Sequence, residues 1–452
     1  MTNILNVIVN YKRELIANSQ DVTPTTNSQR DFKAALMKSD FGFIMECKKA
    51  SPSKGLIRED FDLSEIVPIY NRYADAISVL TEERFFQGSY KNLEYVSEHT
   101  DKPVLCKDFI LTPKQVRQAR FYGADAVLLM LSILSDSEYM LCQQEAAKYQ
   151  MDVLTEVHDE SELQRAIALG SDIIGINNRD LKTLKTSLNH TKTLFSLVPK
   201  DRVIITESGI NDHSDIIEMS QFADACLVGS SLMQHADLNQ AASKLVYGDI
   251  KICGVTSQID LNVSEQTEAS HLGIIFSEKS KRKVTVPLVS KSKPLIGVFQ
   301  NQPLDFVLKQ VSDYQLNGVQ LHGSEDKPYI EDLREKLGRT FFISKVTHVT
   351  GSIDELCFEN LDEVLLDTQI KGQQGGTGKA FDWSLLSQHQ IQSNKHKIRV
   401  AGGLNSSNIR EIKKKGFYKL DVCSGSESSP GIKCPDKLNN IFANSKLKGL
   451  VR

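Results

Sequence analysis

No stretch of this chain reaches the ~18 consecutive apolar residues that a membrane-spanning helix needs, and no two of its cysteines stand as C-x-x-C. The first absence argues against a membrane helix. The second argues against zinc ribbons and disulfide staples, because the eight cysteines are scattered from Cys47 to Cys434, so reduced thiols and a cytoplasmic setting are expected. An excess of one charge is missing too: 54 Lys and Arg face 57 Asp and Glu, a formal net charge of −3. That balance gives no general pull toward nucleic acid or an anionic membrane, and small anions would have to be caught locally. The opening MTNILNVIVNYKRELIANSQ lacks a basic head followed by an unbroken apolar run, so no secretory leader is expected. A lone histidine such as His322 has no second histidine or carboxylate at ligand spacing. Neither a metal nor a cofactor is therefore expected.

What is present is ordinary globular composition, 40% apolar and 25% charged over 452 residues, enough for two domains of barrel size. Ile4, Leu5, Val7, Ile8, Tyr11, Leu15 and Ile16 recur at helical spacing, and a second short helix fits Phe32 to Met37. Both precede the first strand and are expected to cap the bottom of a barrel. From there short apolar runs alternate with amphipathic segments. The first half carries FIMEC, AISVL, PVLC, DAVLLM, DVLTE, DIIGIN, RVIIT and DACLVG; the second carries KICG, LGIIF, PLIGVF, GVQLH, FFISK, EVLLD, KIRVA and KLDVC. Eight strands followed by eight more predict an α/β fold of two consecutive (β/α)8 barrels, residues 1–248 and 249–452. The join at Leu245 to Asp249 holds no Ser/Pro/Gly-rich spacer.

Barrel chemistry collects where strands end. Just past the first-half runs stand Glu46, Lys48, Lys107, Glu156, Asn177, Arg179, Glu207 and Ser208. Apolar strands have no structural need for so many polar groups on one rim. The seventh and eighth runs of each half end in small-residue turns, ESGI with Gly209, VGSS with Gly229 and Ser230, AGGL with Gly402 and Gly403, and CSGSE with Ser424 and Gly425. Such turns let backbone N–H groups approach a phosphate. Taken singly, Cys253 reads as a small buried hydrophobe, Asp367 as a turn or cap residue, and the run Lys413 to Lys415 as a solvated helix face.

The motifs FGFIMECKKASPSKGLIR, LCKDF, LTEV, GINNRDL, ITESGI and LVGSSLM, in register through the first half, resemble indole-3-glycerol-phosphate synthase. KICGVT, KSKRKV, GVFQN, VQLHG, VLLD, GGTGKAFDW, AGGL and DVCSGSE resemble phosphoribosylanthranilate isomerase. The pair in this order is similar to the fused bifunctional enzyme of bacterial tryptophan biosynthesis. One departure stands out: Ser257 to Ser270 lacks the usual alanine- and glycine-rich stretch before the second strand.

The resemblance implies small phosphorylated anthranilate-sugar substrates and a monomer that binds neither nucleic acid nor membrane. In the second half it implies Asp367 as the general acid and Cys253 as the general base of an Amadori rearrangement. Arg282 would meet the anthranilate carboxylate, His322 would also contact substrate, and Gly375, Gly376 and Gly378 would form a mobile cover. In the first half it implies Lys107 as the acid of ring closure, Glu156 as a base and Lys48 as a second acid. Glu46, Ser51, Asn177, Glu207 and Ser208 would line the pocket, with Arg179 on a substrate carboxylate and Lys54 and Gly55 in a closing loop. Lys48 would press Lys107 to release its proton while Glu46 and Glu156 oppose that. Two other readings stay open: an isomerase half that is only a scaffold or binding module, and a Schiff-base aldolase using Lys107 or Lys345.

Overall fold

The computed structural model describes residues 4–37, 40–180, 185–370, 373–374 and 380–450. Contacts divide the chain into two units, Met1–Ala242 with Leu447–Arg452, and Ser243–Lys446.

In the first unit the eight apolar runs are strands β1 (Gly42–Cys47), β2 (Ala76–Leu80), β3 (Val104–Lys107), β4 (Ala126–Met130), β5 (Asp152–Val157), β6 (Ile173–Asn177), β7 (Val203–Glu207) and β8 (Ala225–Val228). They pair in parallel, in chain order, and β8 returns to β1 with Gly42 opposite Ala225. Most are buried along their whole length because one face fills the barrel and the other lies under helices. The lower end carries a repeated device. Asp75, Asp125 and Asp224, each just ahead of a strand in an A-D-A triplet, accept the backbone N–H of Phe43, Val104 and Ile204 on the preceding strand. Each satisfies a donor that a strand start would leave unpaired.

The two N-terminal helices, α1 (Ile4–Asn18) and α2 (Phe32–Met37), do not share an end. α2 sits at the bottom as expected, with Phe32 and Leu36 buried and the Lys33 N–H donating to Asp152 at the start of β5, 3.0 Å. α1 corrects the expectation. Its Lys12 pairs with Asp108, one residue past the end of β3, at 2.6 Å, so it lies across the top. The segment between the helices makes the crossing and is pinned below, where Ser28 donates to Asp125 at 2.8 Å and Arg30 pairs with the same carboxylate at 2.7 Å.

The second unit repeats the plan with β9 (Asp249–Cys253), β10 (His271–Ile275), β11 (Leu295–Phe299), β12 (Gly318–Leu321), β13 (Phe342–Val349), β14 (Glu363–Ile370), β15 (Ile398–Val400) and β16 (Lys419–Val422). The ring closes through β13 with β14 and through β16 with β9. Inside it Arg399, 3% exposed, pairs with Glu363 at 2.6 Å and with Asp249 at 3.1 Å. The stretch that departs from the isomerase pattern still folds as a helix, Gln258–Glu265, capped by Ser257 and burying Leu261. Lys413 is a correction. It shares the inward face of helix Ile409–Lys414 with Ile409 and Ile412, is fully buried, and donates to the carbonyls of Tyr247 and Ser445. Lys414 and Lys415 are exposed, so only they form the solvated face.

Candidate functional site

In a strand, alternate side chains share a face, and the polar residues at the upper ends of the first barrel all use the inward one. Of the first-half site positions named from the sequence, all but Gly55 line one cavity of about 420 Å³: Glu46, Lys48, Ser51, Lys54, Lys107, Glu156, Asn177, Arg179, Glu207, Ser208, Gly209, Gly229 and Ser230. Lys107, the last residue of β3, is ion-paired to Glu207 at the end of β7 and lies 3.5 Å from Glu156 of β5. Asn177 donates to the other Glu156 oxygen at 3.0 Å, and Lys48 pairs with Glu46.

Burial works to strip Lys107 of its proton, but the charges of Glu207, Glu156 and Glu46 outweigh it and hold its pKa above the usual lysine value. Lys107 is therefore a firmly protonated ammonium. Burial pushes Glu207 up to about 7, against the pull of Lys107 and with help from Glu156 and Glu46. Lys54 is lowered by burial, then by Arg179 and Lys48.

Two glycines admit these carboxylates. A Cβ on Gly175 would lie 2.1 Å from a Glu207 oxygen, and one on Gly229 would lie 2.2 Å from a Glu46 oxygen. Gly229, expected as part of a phosphate turn, is thus also the space in which Glu46 sits. Ser208 and Gly209 take φ values of 63° and 93°, and the Ser231 hydroxyl donates to the Ile210 carbonyl at 2.8 Å, tying the turns after β7 and β8 together. Ser51 and Gly55 pair across a two-stranded loop, and Arg179 donates to Ser53 at 3.0 Å. Sequence reasoning missed the roof: Ile4, Leu5 and Ile8 of α1 line the same cavity. Their apolar spacing was legible, but not the end of the barrel they cover.

In the second barrel Cys253 ends β9 and is 5% exposed. Asp367 lies within β14, which continues past it to Ile370, so it is not the turn or cap residue it suggests in isolation. The connection between the two is a buried polar chain. Lys251 stands 3.6 Å from the Cys253 sulfur and bonds to Gln320 at 2.6 Å and Asp421 at 2.7 Å. Gln320 contacts His322 at 3.3 Å, and His322 lies 3.5 Å from Asp367. Lys251 was not singled out from the sequence; its alternation with Cys253 was the available signal.

The Cys253 thiol is drawn down to about 7, first by a hydrogen bond from Cys423 and then by Lys251 and Lys433, against burial and Asp421. Arg282 is held by Glu427 through Nε and Nη2, both at 2.8 Å, which leaves Nη1 outside that pair. Glu427 was not singled out in DVCSGSE. Gly402 and Gly403 have φ values of 83° and 66°, and a Cβ on Gly402 would meet Thr368 at 2.2 Å. A Cβ on Gly425, beside Ser424, would lie 2.0 Å from the Leu404 carbonyl, so the turns after β15 and β16 are in contact. Gly375, Gly376 and Gly378 lie outside the described residues. Among the described residues, no group of three or more His, Cys, Asp or Glu is placed to hold a metal ion.

Comparison with known proteins agrees with this geometry half by half. A family model described as indole-3-glycerol phosphate synthase matches residues 5–245, and one described as N-(5'phosphoribosyl)anthranilate (PRA) isomerase matches residues 250–444. A tryptophan biosynthesis protein TrpCF from Vibrio cholerae is 44% identical, covering 98% of this chain and 96% of its own length. The protein of the same description from Haemophilus influenzae is 43% identical, covering 92% of this chain and 90% of its own length.

Proposed function

We propose a two-step function on one premise: the chain belongs to the indole-3-glycerol phosphate synthase family through residues 5–245 and to the N-(5'phosphoribosyl)anthranilate isomerase family through residues 250–444. It is a bifunctional enzyme of tryptophan biosynthesis, a lyase in its first barrel and an isomerase in its second. We assign the synthase to residues 1–248 and the isomerase to residues 249–452, and the cytoplasm as the setting.

The second barrel acts first. Asp367 donates a proton to the ribose ring oxygen of phosphoribosylanthranilate as the C1′–O bond breaks and the anilino nitrogen forms an iminium. The Cys253 thiolate then removes the C2′ proton, and the resulting enolamine becomes the ketone. A thiol drawn down to about 7 supports this role, because a large fraction is thiolate at neutral pH. Arg282 faces the anthranilate carboxylate, His322 contacts substrate beside Asp367, and the phosphate rests on the Gly402–Gly403 and Ser424–Gly425 turns.

The first barrel takes up that ketone. The anthranilate ring carbon attacks C2′ while Lys107 protonates the developing oxyanion; carbon dioxide leaves, and water is then lost with Glu156 as base and Lys48 as second acid. The ammonium held charged by Glu207, Glu156 and Glu46 suits a proton donor. Arg179 faces the carboxylate before it departs, Glu46, Ser51, Asn177, Glu207 and Ser208 surround the reacting atoms, and the phosphate rests on Gly209, Gly229 and Ser230.

The observation that carries this reading is the gathering of Lys107, Glu156 and Glu207 from three different strands around one cavity. The test supplies phosphoribosylanthranilate and follows both intermediate and indole product in wild type and in Lys107→Ala. The variant is expected to accumulate the rearranged intermediate; continued indole formation at the wild-type rate would refute the assignment.

A further inference from the structure

Cys423 directly follows β16, and Cys253 ends β9. The two strands pair in parallel with Lys251 opposite Asp421 and Ile252 opposite Val422, and Cys253 and Cys423 are the residues that directly follow this last pair. Partners on one rung face the same way, as the 2.7 Å contact between Lys251 and Asp421 demonstrates. Cys423 is the neighbour that most lowers the proton affinity of Cys253, and its sulfur also lies 3.9 Å from a Glu427 oxygen. Neighbouring strands stand about 4.8 Å apart, inside the range of roughly 4.4–6.8 Å between Cα atoms that a disulfide spans. Gly254, at φ 78°, keeps the space beside them open, because a Cβ there would lie 3.0 Å from the Cys423 sulfur. Cations surround the pair: Lys251 approaches the Cys253 sulfur, and Lys433 donates to the Cys253 carbonyl at 2.5 Å.

The first barrel offers a contrast. Its thiols Cys47, Cys106, Cys142 and Cys226 are buried, and burial raises the pKa of each. Oxidation by a peroxide needs a thiolate within reach, and the second barrel holds one at the substrate's side.

We propose that Cys253 and Cys423 are a reversible redox pair: a hydroperoxide oxidises Cys253, Cys423 closes a disulfide onto it, and the second barrel alone is switched off. The Cys253 thiolate attacks a peroxide oxygen and the O–O bond breaks, giving a sulfenic acid and hydroxide. Cys423 gives its proton to that hydroxide and attacks the sulfenyl sulfur; the S–O bond breaks, the S–S bond forms, and the departing oxygen leaves as water after taking a proton from solvent. Two electrons pass from the thiols to the peroxide, and a dithiol returns them. The proposal rests on Cys253 being the isomerase base and extends that reading. The thiolate that catalysis needs is the one exposed to oxidation, and Cys423 traps it before it proceeds irreversibly to the sulfinic acid.

The test treats the full-length protein with hydrogen peroxide, alkylates the remaining thiols and maps peptides without reduction. Expected are a Cys253–Cys423 linked peptide, near-complete loss of isomerase turnover in step with it, unchanged indole formation from supplied intermediate, and recovery with dithiothreitol. In Cys423→Ser, scored against its own untreated activity, the loss should occur without a linked peptide and, with peroxide in excess, pass on to a sulfinic acid at Cys253 that dithiothreitol does not reduce. Absence of the linked peptide from oxidised wild type, or full dithiothreitol recovery of Cys423→Ser after excess peroxide with no sulfinic acid at Cys253, would overturn the proposal. Cys253→Ser, assayed reduced, judges the base separately: full turnover there would remove the catalytic reading while the peptide map still decides the disulfide.

Discussion

The two barrels use the same strand ends to move proton affinities in opposite directions. In the first, Lys107 is encircled by Glu207, Glu156 and Glu46, which hold its proton in place against burial. In the second, Cys253 is served by a thiol donor and two lysines, which take its proton away against burial. One arrangement suits an acid and the other suits a base. The scaffold is neutral to this choice; the groups placed around each mouth decide it. The same contrast disfavours a Schiff-base aldolase, since an amine kept as ammonium is a poor nucleophile. Lys345 is no better placed, pairing with Glu325 at 2.9 Å.

The largest expected effects separate the barrels. Asp367→Asn should lower isomerase turnover by about a thousandfold, the scale of losing a general acid, and leave indole formation from supplied intermediate intact. Assaying the two half-reactions separately checks this, and parallel loss of both with the fold preserved would contradict independent sites.

Next in size is the test of how the thiol is tuned. Isomerase kcat/KM should rise with pH through an apparent pKa near 7, because the thiolate is the active form and protonation removes it as pH falls. Lys251→Met takes away a charge that lowers this pKa, so the profile should move to higher pH. At acidic pH about tenfold less thiolate remains, and the deficit should close under alkaline conditions. A uniform loss at every pH would instead mean that Lys251 only supports packing beside Asp421.

The smallest effects distinguish what two similar glycines do. Gly229→Ala sets a methyl against the movable Glu46 carboxylate, and should cost the synthase roughly tenfold in turnover through its pairing with Lys48, a positioning loss. Gly425→Ala sets one against the fixed Leu404 carbonyl and should cost about 2 kcal/mol of stability, the scale of overpacking. Denaturant titration of both variants beside the two activity assays tells them apart.

The barrels could be read from the linear pattern because each strand is a local event: a short apolar run, a turn, an amphipathic segment. The rim residues could be read for a related reason. A charge that ends an otherwise apolar run has few places to go except the mouth. Other features had no local signature. The spacing of Ile4, Leu5 and Ile8 is the same whether α1 covers the top or the bottom, and only the contact of Lys12 with Asp108 decides. Lys413 stands in a run of three lysines, yet is the one that turns inward because Ile409 and Ile412 share its helix face. Glu427 looks like a turn residue until Arg282, far away in the chain, closes onto it.

Amino-acid order alone dictated two rings of eight strands and which side chains stand at their upper ends, since periodicity and turn chemistry act over a few residues. Folding in three dimensions settled how those side chains ionise. Lys107 meets Glu207 from the far side of the ring, and Cys253 meets Cys423 at the seam where the second ring closes. Electrostatic and hydrogen-bond energies fall off over a few ångströms of space, whatever the distance along the chain.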